Sequence, residues 1–384
     1  MHRMLRRLAA LLIVTAPVVL LGRAGSTWGA APAARPTAPP PPRHEPATFE
    51  ASPLAVERAD EERTESAVVL VVLDGVRAQE IFDGPRDLTP NLHRMLDSDA
   101  VAVGAPGHGA EISASGPRFI SLPGYLEIFA GRPDPACDGN ACDRPPAHTL
   151  ADDVRESSGA DDFVLVTSWP NIARAAAADL SPFVATAGRK ILSRSGVLRE
   201  DPRLATLLDR GAAARAFPGE GDYRPDVHTA QVALRTLELT RPRLLFVGLG
   251  DADEYAHHGD YRGYLQALHA SDAFLGDLAA TLSRMGARGR HTTVLVTADH
   301  GRARSFTDHG ARYPESARVW LVAQGGDVRG HGLIAAARRH TLSDVAPTVR
   351  ALLGIAGDGR PVDEIVSGRE PGAGVGVGPE WRDP

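Results

Sequence analysis

Lysine is almost missing from this 384-residue chain. Of its 42 basic residues only Lys190 is a lysine, and it stands between Arg189 and Ile191. No Gly-Lys-Ser/Thr phosphate loop can therefore form, which excludes P-loop nucleotide hydrolysis. Cysteine is equally scarce. Cys137 and Cys142 are too few for a four-cysteine zinc site or an iron–sulfur cluster, but they suffice for one disulfide. The chain also lacks a long basic run, and 48 acidic residues against 42 basic ones give a net charge of -6. That balance provides no electrostatic footprint for a dedicated nucleic-acid binder. Aromatics make up only 5%, yet 43% hydrophobic and 23% charged residues exclude disorder, collagen and coiled coil for the chain as a whole.

The N-terminus carries Arg3, Arg6 and Arg7, then an apolar run from Leu8 to Leu21, then small residues up to Ala31-Pro32-Ala33-Ala34. This layout predicts a secretory signal over residues 1–34 and hence a periplasmic or secreted protein. The run is shorter than the roughly 20 residues a spanning helix needs, and Pro17 interrupts it. No membrane span is expected in the mature chain, with an uncleaved anchor as the alternative. Residues 35–65, with four consecutive prolines at Pro39 to Pro42, read as an extended tether. A catalytic body is expected over 66–357, followed by a loose tail over 358–384 that contains Gly372 to Gly378. Export would favour a disulfide between Cys137 and Cys142.

Within the body, Ala67 to Leu73 (AVVLVVL) is a continuous β-branched run, the pattern of a strand buried on both faces. Phe163 to Thr167, Leu244 to Leu249, Thr293 to Thr297 and Val319 to Ala323 repeat it. Helical patterns lie between them at Pro90 to Asp97, Thr229 to Leu239, Tyr261 to Met285 and Leu342 to Leu353. The alternation predicts an α/β fold with a doubly wound, mostly parallel central sheet and helices on both faces.

Ligands of such sheets bind beyond the carboxyl ends of the strands, and here those ends are rich in metal-ligand residues. Asp74 follows the first strand, Asp251 and Asp253 follow the run ending at Leu249, and Asp299-His300 follow the run ending at Thr297. A single aspartate at such a point is most often a helix cap. Three strand ends with aspartate, two with histidine nearby, point to metal. Asp253 and His257 are four apart, which places them on one helix face, and His309 follows downstream. Three carboxylates and three histidines suit two divalent ions, zinc or manganese. Histidine is also frequent elsewhere (His258, His269, His291, His331 and His340), so no single assignment rests on residue type alone. Ile120-Ser121-Leu122-Pro123-Gly124-Tyr125 offers a hydroxyl at the start of a helix, as a nucleophile or as a simple cap.

Taken in order, these segments resemble the alkaline phosphatase superfamily, and within it the branch of type I phosphodiesterases and nucleotide pyrophosphatases. The resemblance rests on Val71 to Arg77 around Asp74, Thr89-Pro90-Asn91-Leu92, and Ser121-Leu122-Pro123 with Ile128 to Arg132. It continues through Asp253-x-x-x-His257, Asp299-His300-Gly301 and the closing segment Thr341 to Gly354. It implies that Asp74, Ser121, Asp299 and His300 surround one metal, and that Asp253, His257 and His309 surround the other. His331 competes with His309 for the last position, and Asp251 with Asp253. The implied function is an exported two-metal hydrolase that cleaves a small-molecule phosphate ester through a serine nucleophile. The alternatives are a sulfate or phosphonate hydrolase on the same metals and a non-catalytic binding protein. Tyr125 stands where sulfatases carry arginine, and Gly124-Tyr125 replace the Asn-His of nucleotide pyrophosphatases. The segment Trp169 to Tyr223 is expected to shape the leaving-group pocket.

Overall fold

The structure, a computed structural model, describes residues 65–366 apart from 143–147, 195, 327, 329–331 and 337. The expected signal, nearly all of the tether, the run Gly372 to Gly378 and His331 lie outside the described residues.

Nine strands form the main sheet: β1 (Ala67–Leu73), β2 (Val101–Val103), β3 (Phe163–Thr167), β4 (Val184–Ala187), β5 (Lys190–Ile191), β6 (Leu244–Leu249), β7 (Thr292–Thr297), β8 (Leu321–Gly325) and β9 (Gly332–Leu333). Their spatial order is β9-β2-β8-β7-β1-β6-β3-β4-β5. β1 lies at the centre, parallel to β6 and β7, and all seven of its residues are buried, which is why its sequence shows no polar alternation. β8 runs antiparallel to both β7 and β2, and β5 closes the far edge antiparallel to β4. Lys190 sits exposed on that edge strand and pairs with Asp222.

The longer helices are α1 (Pro90–Ser98), α2 (Ser121–Ala130), α3 (Leu150–Ser158), α4 (Pro202–Ala213), α5 (Asp226–Thr240), α6 (Asp251–His257), α7 (Tyr261–Arg284) and α8 (Val345–Leu353). They pack in two groups, with α2 against α3 and α8, and α5 against α4 and α7, where α7 also holds α1. The Asp272 carboxylate of α7 accepts the Asn91 and Leu92 N–H groups at 2.9 and 2.8 Å, so it caps α1, whose own Thr89 makes no side-chain cap. No described helix is long and apolar enough to cross a membrane.

The expected strand Val319 to Ala323 is divided. Arg318–Val319 joins a small sheet with Ile112–Ser113 and His340–Thr341, while Leu321–Gly325 belongs to the main sheet. Trp320 sits at the switch, fully buried, and its indole Nε1–H donates to the Val76 carbonyl at 3.0 Å. A buried indole N–H usually finds such a partner, and Trp320 does so where the chain leaves one sheet for the other. Beyond Gly357, Val362 and Ile365 join the same core as the rest of the body. Cys137 and Cys142 are joined by a disulfide.

Candidate metal centre

The strand register brings the predicted ligands together. Leu73 is level with Leu249, and Val72 with Thr297, so the chain emerges from β1, β6 and β7 at one end of the sheet. Asp74, the start of α6 and Asp299-His300 meet there. Two glycines permit the approach. Gly75 has φ +61°, and a Cβ on it would lie 2.2 Å from Asp253 Oδ1. A Cβ on Gly124 would lie 2.4 Å from the Asp299 carbonyl oxygen, so glycine lets α2 press directly against the end of β7.

Ser121 opens α2 and is 5% exposed. Its Oγ donates to Asp74 Oδ1 at 3.3 Å and lies 3.2 Å from His300 Nε2. His300 Nε2 is also 3.4 Å from Asp74 Oδ1 and 3.6 Å from Asp299 Oδ2. Donor atoms of Asp74, Asp299 and His300 therefore converge within 4.8 Å, and so do those of Asp253, His300 and His309. His257 stands beside the second group, its Nε2 2.9 Å from Asp253 Oδ2 and 3.2 Å from His309 Nε2. The His300 and His309 rings stack at 4.0 Å and join the two halves. The outer nitrogens are fixed by carbonyls, His309 Nδ1 by Phe119 at 3.1 Å and His300 Nδ1 by Gly301 at 2.8 Å, which turns Nε2 inward in both rings.

The alternative Asp251 points elsewhere. Its Oδ1 accepts the Tyr223 hydroxyl at 2.8 Å and the Asp226 N–H at 3.2 Å, while Asp226 in turn accepts the N–H groups of Gly250 and Asp251. Asp251 and Asp226 thus cap α5 and α6 reciprocally, and Asp253 alone faces the cluster.

The electrostatics show a site built for positive charge. Burial, reinforced by Asp253, raises the Asp74 carboxyl to about 7. Burial and Asp74 push Asp299 well above the ordinary carboxylate range. Burial opposes ionisation of Asp253 too, but Arg302 and His257 outweigh it and hold that carboxyl well below the usual range. Burial lowers His300 to about 4 and, together with His300, lowers His309 to about 3, so both imidazoles are neutral as metal ligation demands. Asp299 Oδ2 is buried and accepts no hydrogen bond among the described residues. A buried acceptor without a partner beside crowded carboxylates is what a cation would satisfy. The residues present fit divalent metal.

The sequence did not reveal the contacts that three neighbours make with the ligands and the nucleophile helix. The Tyr125 hydroxyl, one helical turn after Ser121, donates to Asp74 Oδ2 at 3.1 Å, and the spacing of four could have revealed it. Asn140, inside the ring closed by the disulfide, accepts the Leu122 N–H through Oδ1 at 3.0 Å at the mouth of α2. Arg302 is buried with its guanidinium on Asp253, and nothing in the sequence pattern marks it.

A family model described as the metalloenzyme superfamily matches residues 220–356, the stretch containing Asp253, His257, Asp299, His300 and His309. A 2,3-bisphosphoglycerate-independent phosphoglycerate mutase from Picosynechococcus sp. is 30% identical over 172 residues, covering 39% of this chain and 32% of the mutase. The corresponding mutase of Shewanella pealeana is 25% identical over 234 residues, covering 54% of this chain and 42% of that protein. The chain thus spans about a third to two-fifths of the length of these curated relatives. Among solved structures, the alkaline phosphatase PafA superposes with a TM-score of 0.56 at 12% identity over 79% of this chain and 99% of that one. A phosphonate monoester hydrolase of Agrobacterium radiobacter gives 0.51 at 16% identity, over 80% and 78% of the two chains. A 2-O GAG sulfatase gives 0.55 at 12% identity, over 79% and 75%. At these identities the likeness is one of fold.

Proposed function

From the premise that the chain belongs to the alkaline phosphatase superfamily, a group of metal-dependent enzymes acting on phosphate and sulfate esters, we propose that it hydrolyses small-molecule phosphate esters through Ser121. The observation that carries this reading is the Ser121 hydroxyl itself, held at the N-terminus of α2 between Asp74 Oδ1 and His300 Nε2.

Two divalent ions, zinc or manganese, held by Asp74, Ser121, Asp299 and His300 on one side and by Asp253, His257 and His309 on the other, would supply the Lewis acidity for the reaction. The chain's own groups do the rest. Asp74 Oδ1, which already accepts the Ser121 hydroxyl, is the acceptor for its proton, and the Tyr125 hydroxyl fixes the other oxygen of Asp74. Serine oxygen attacks phosphorus, the bond to the ester oxygen breaks, and the alcohol leaves with a proton. Water then cleaves the phosphoserine and regenerates the hydroxyl. The positive end of α2 favours the anionic phosphoryl group at Ser121 in both steps. Tyr125, where sulfatases of this superfamily carry arginine, favours phosphate over sulfate as the substrate group. Support for export comes from the N-terminal signal pattern and from the Cys137–Cys142 disulfide, a bond that persists in oxidising compartments.

Ser121→Ala tests the mechanism. Ser121 makes no side-chain cap on α2, whose N-cap is Ile120, so without a chemical role its removal would leave turnover per folded molecule unchanged. As the nucleophile, its loss leaves a folded, metal-loaded protein whose aryl phosphate hydrolysis falls by roughly three orders of magnitude or more. Acid-quenched wild-type protein should carry substrate label on the peptide spanning Ser121. Undiminished turnover in the alanine variant refutes the covalent route.

A further inference from the structure

Arg302 is a buried cation placed against an anionic ligand cluster, and the reaction above makes no use of it. Its side chain is fully buried, a costly position for a guanidinium unless it is paired and hydrogen-bonded. Three of its nitrogens are engaged. One Nη–H group donates to Asp253 Oδ1, Nε–H donates to the Phe306 carbonyl at 2.6 Å, and the other Nη–H group donates to the Thr307 carbonyl at 2.8 Å. The two carbonyls belong to the turn that ends at His309. That turn is closed from within by Ala303 N–H on Asp308 O at 2.8 Å and Phe306 N–H on Ala303 O at 2.9 Å. Phe306 adopts φ +77°, an unfavourable conformation for phenylalanine, and its ring packs edge-on against Tyr261 and Tyr264 of α7.

We propose that Arg302 is the positioning residue that assembles the Asp253–His257–His309 half of the centre before any cation binds. One end of its fork fixes a carboxylate delivered by α6, and the other end fixes the turn that delivers His309. By engaging Oδ1 of Asp253 it orients the carboxylate so that Oδ2 faces His257 Nε2, the oxygen best placed for a cation held between them. Lysine, with one nitrogen, cannot span a carboxylate and two carbonyls at once, so charge alone does not substitute for the fork.

This inference rests on the metal-centre reading, and the experiment separates the two. Hydrogen exchange is followed by mass spectrometry on chelator-stripped full-length protein, in wild type, Arg302→Lys and Arg302→Gln, together with zinc uptake per chain. The expected result is that the segment containing Ala303 and Phe306 stays protected in metal-free wild type. Both variants should lose that protection while β1 and β6 keep theirs, and they should bind one of the two zinc ions roughly 10–100-fold more weakly. The proposal is overturned if this segment exchanges freely in metal-free wild type and becomes protected only on adding zinc, or if Arg302→Lys matches wild type in protection and uptake. Should both variants fail to fold, the metal-free wild-type exchange decides alone. If wild type takes up no zinc, the metal reading fails, while loss of protection in the variants still decides whether Arg302 holds the turn.

Discussion

Glu127 offers a quantitative test of how the nucleophile helix is held. It lies on α2, 2% exposed, and its carboxylate accepts four hydrogen bonds. Ser115 contributes its N–H at 2.9 Å and its hydroxyl, and Ser343 contributes its N–H at 2.9 Å and its hydroxyl at 2.8 Å. One side chain thus ties α2 to the loop ahead of it and to the turn that leads into α8. Glu127→Gln keeps the volume but replaces one oxygen with an NH2 group. Three of the four bonds end on Oε1 and only the Ser115 N–H ends on Oε2, so the amide turns its oxygen to the three and sets NH2 against Ser115 N–H. Losing a bond to a charged acceptor costs about 1.5–3 kcal/mol, and reducing the other three to neutral strength brings the total to about 3–5 kcal/mol. At roughly 2–4 °C per kcal/mol, Tm should fall by about 6–20 °C. Thermal unfolding is followed by circular dichroism in excess chelator, so that metal linkage does not contribute. A companion Ser343→Ala change should cost less in the Glu127→Gln background than in wild type, because the partner is already weakened. A Tm within 2 °C of wild type would show that this network does not anchor α2.

Two further outcomes follow from the centre. Metal-free protein titrated with zinc should take up about two ions per chain and gain roughly 2.7 kcal/mol of stability per site when free zinc is a hundred times Kd; Asp253→Asn should lose one of them and Asp251→Asn neither, and the reverse pattern would make Asp251 the ligand. Asp251, raised from 3.8 to about 8 by burial and by Asp226, keeps in the native state a proton that the unfolded chain has already released, so its contribution grows more destabilising as pH rises from about 4 to about 8. Asp251→Asn should therefore gain stability relative to wild type across that window, and a flat difference in urea unfolding would refute the assignment.

Much of the scaffold was legible because strands buried on both faces announce themselves as unbroken β-branched runs. β1, β3 and β6 fall where those runs lie. Asp253 could be preferred over Asp251 because helical spacing is visible in sequence, and the structure adds why Asp251 turns away, since Tyr223 and the start of α5 engage it. The division at Trp320 was not legible. Val319 to Ala323 is apolar throughout, and hydrophobicity alone cannot show which of two sheets each half will join. Arg302 was hidden for a different reason. Its partners are two backbone carbonyls and a carboxylate 49 positions away, contacts that leave no periodic trace. Glu127 escaped notice because a carboxylate within a short apolar helix reads as a surface residue until the two serines that surround it are placed.

The lone lysine acquires a practical meaning from its position. Lys190 stands exposed on a two-residue edge strand, and the opposite edge, β9, is also only two residues long. Short edges, one of them bearing an ammonium group, give a foreign strand little to pair with and discourage sheet-to-sheet association. They also make the body a single-handle molecule. Lysine-directed coupling within residues 65–366 can occur only at Lys190, so once the chain's α-amino group is blocked a fluorophore or a solid support would sit at one defined rim of the sheet, without an engineered cysteine.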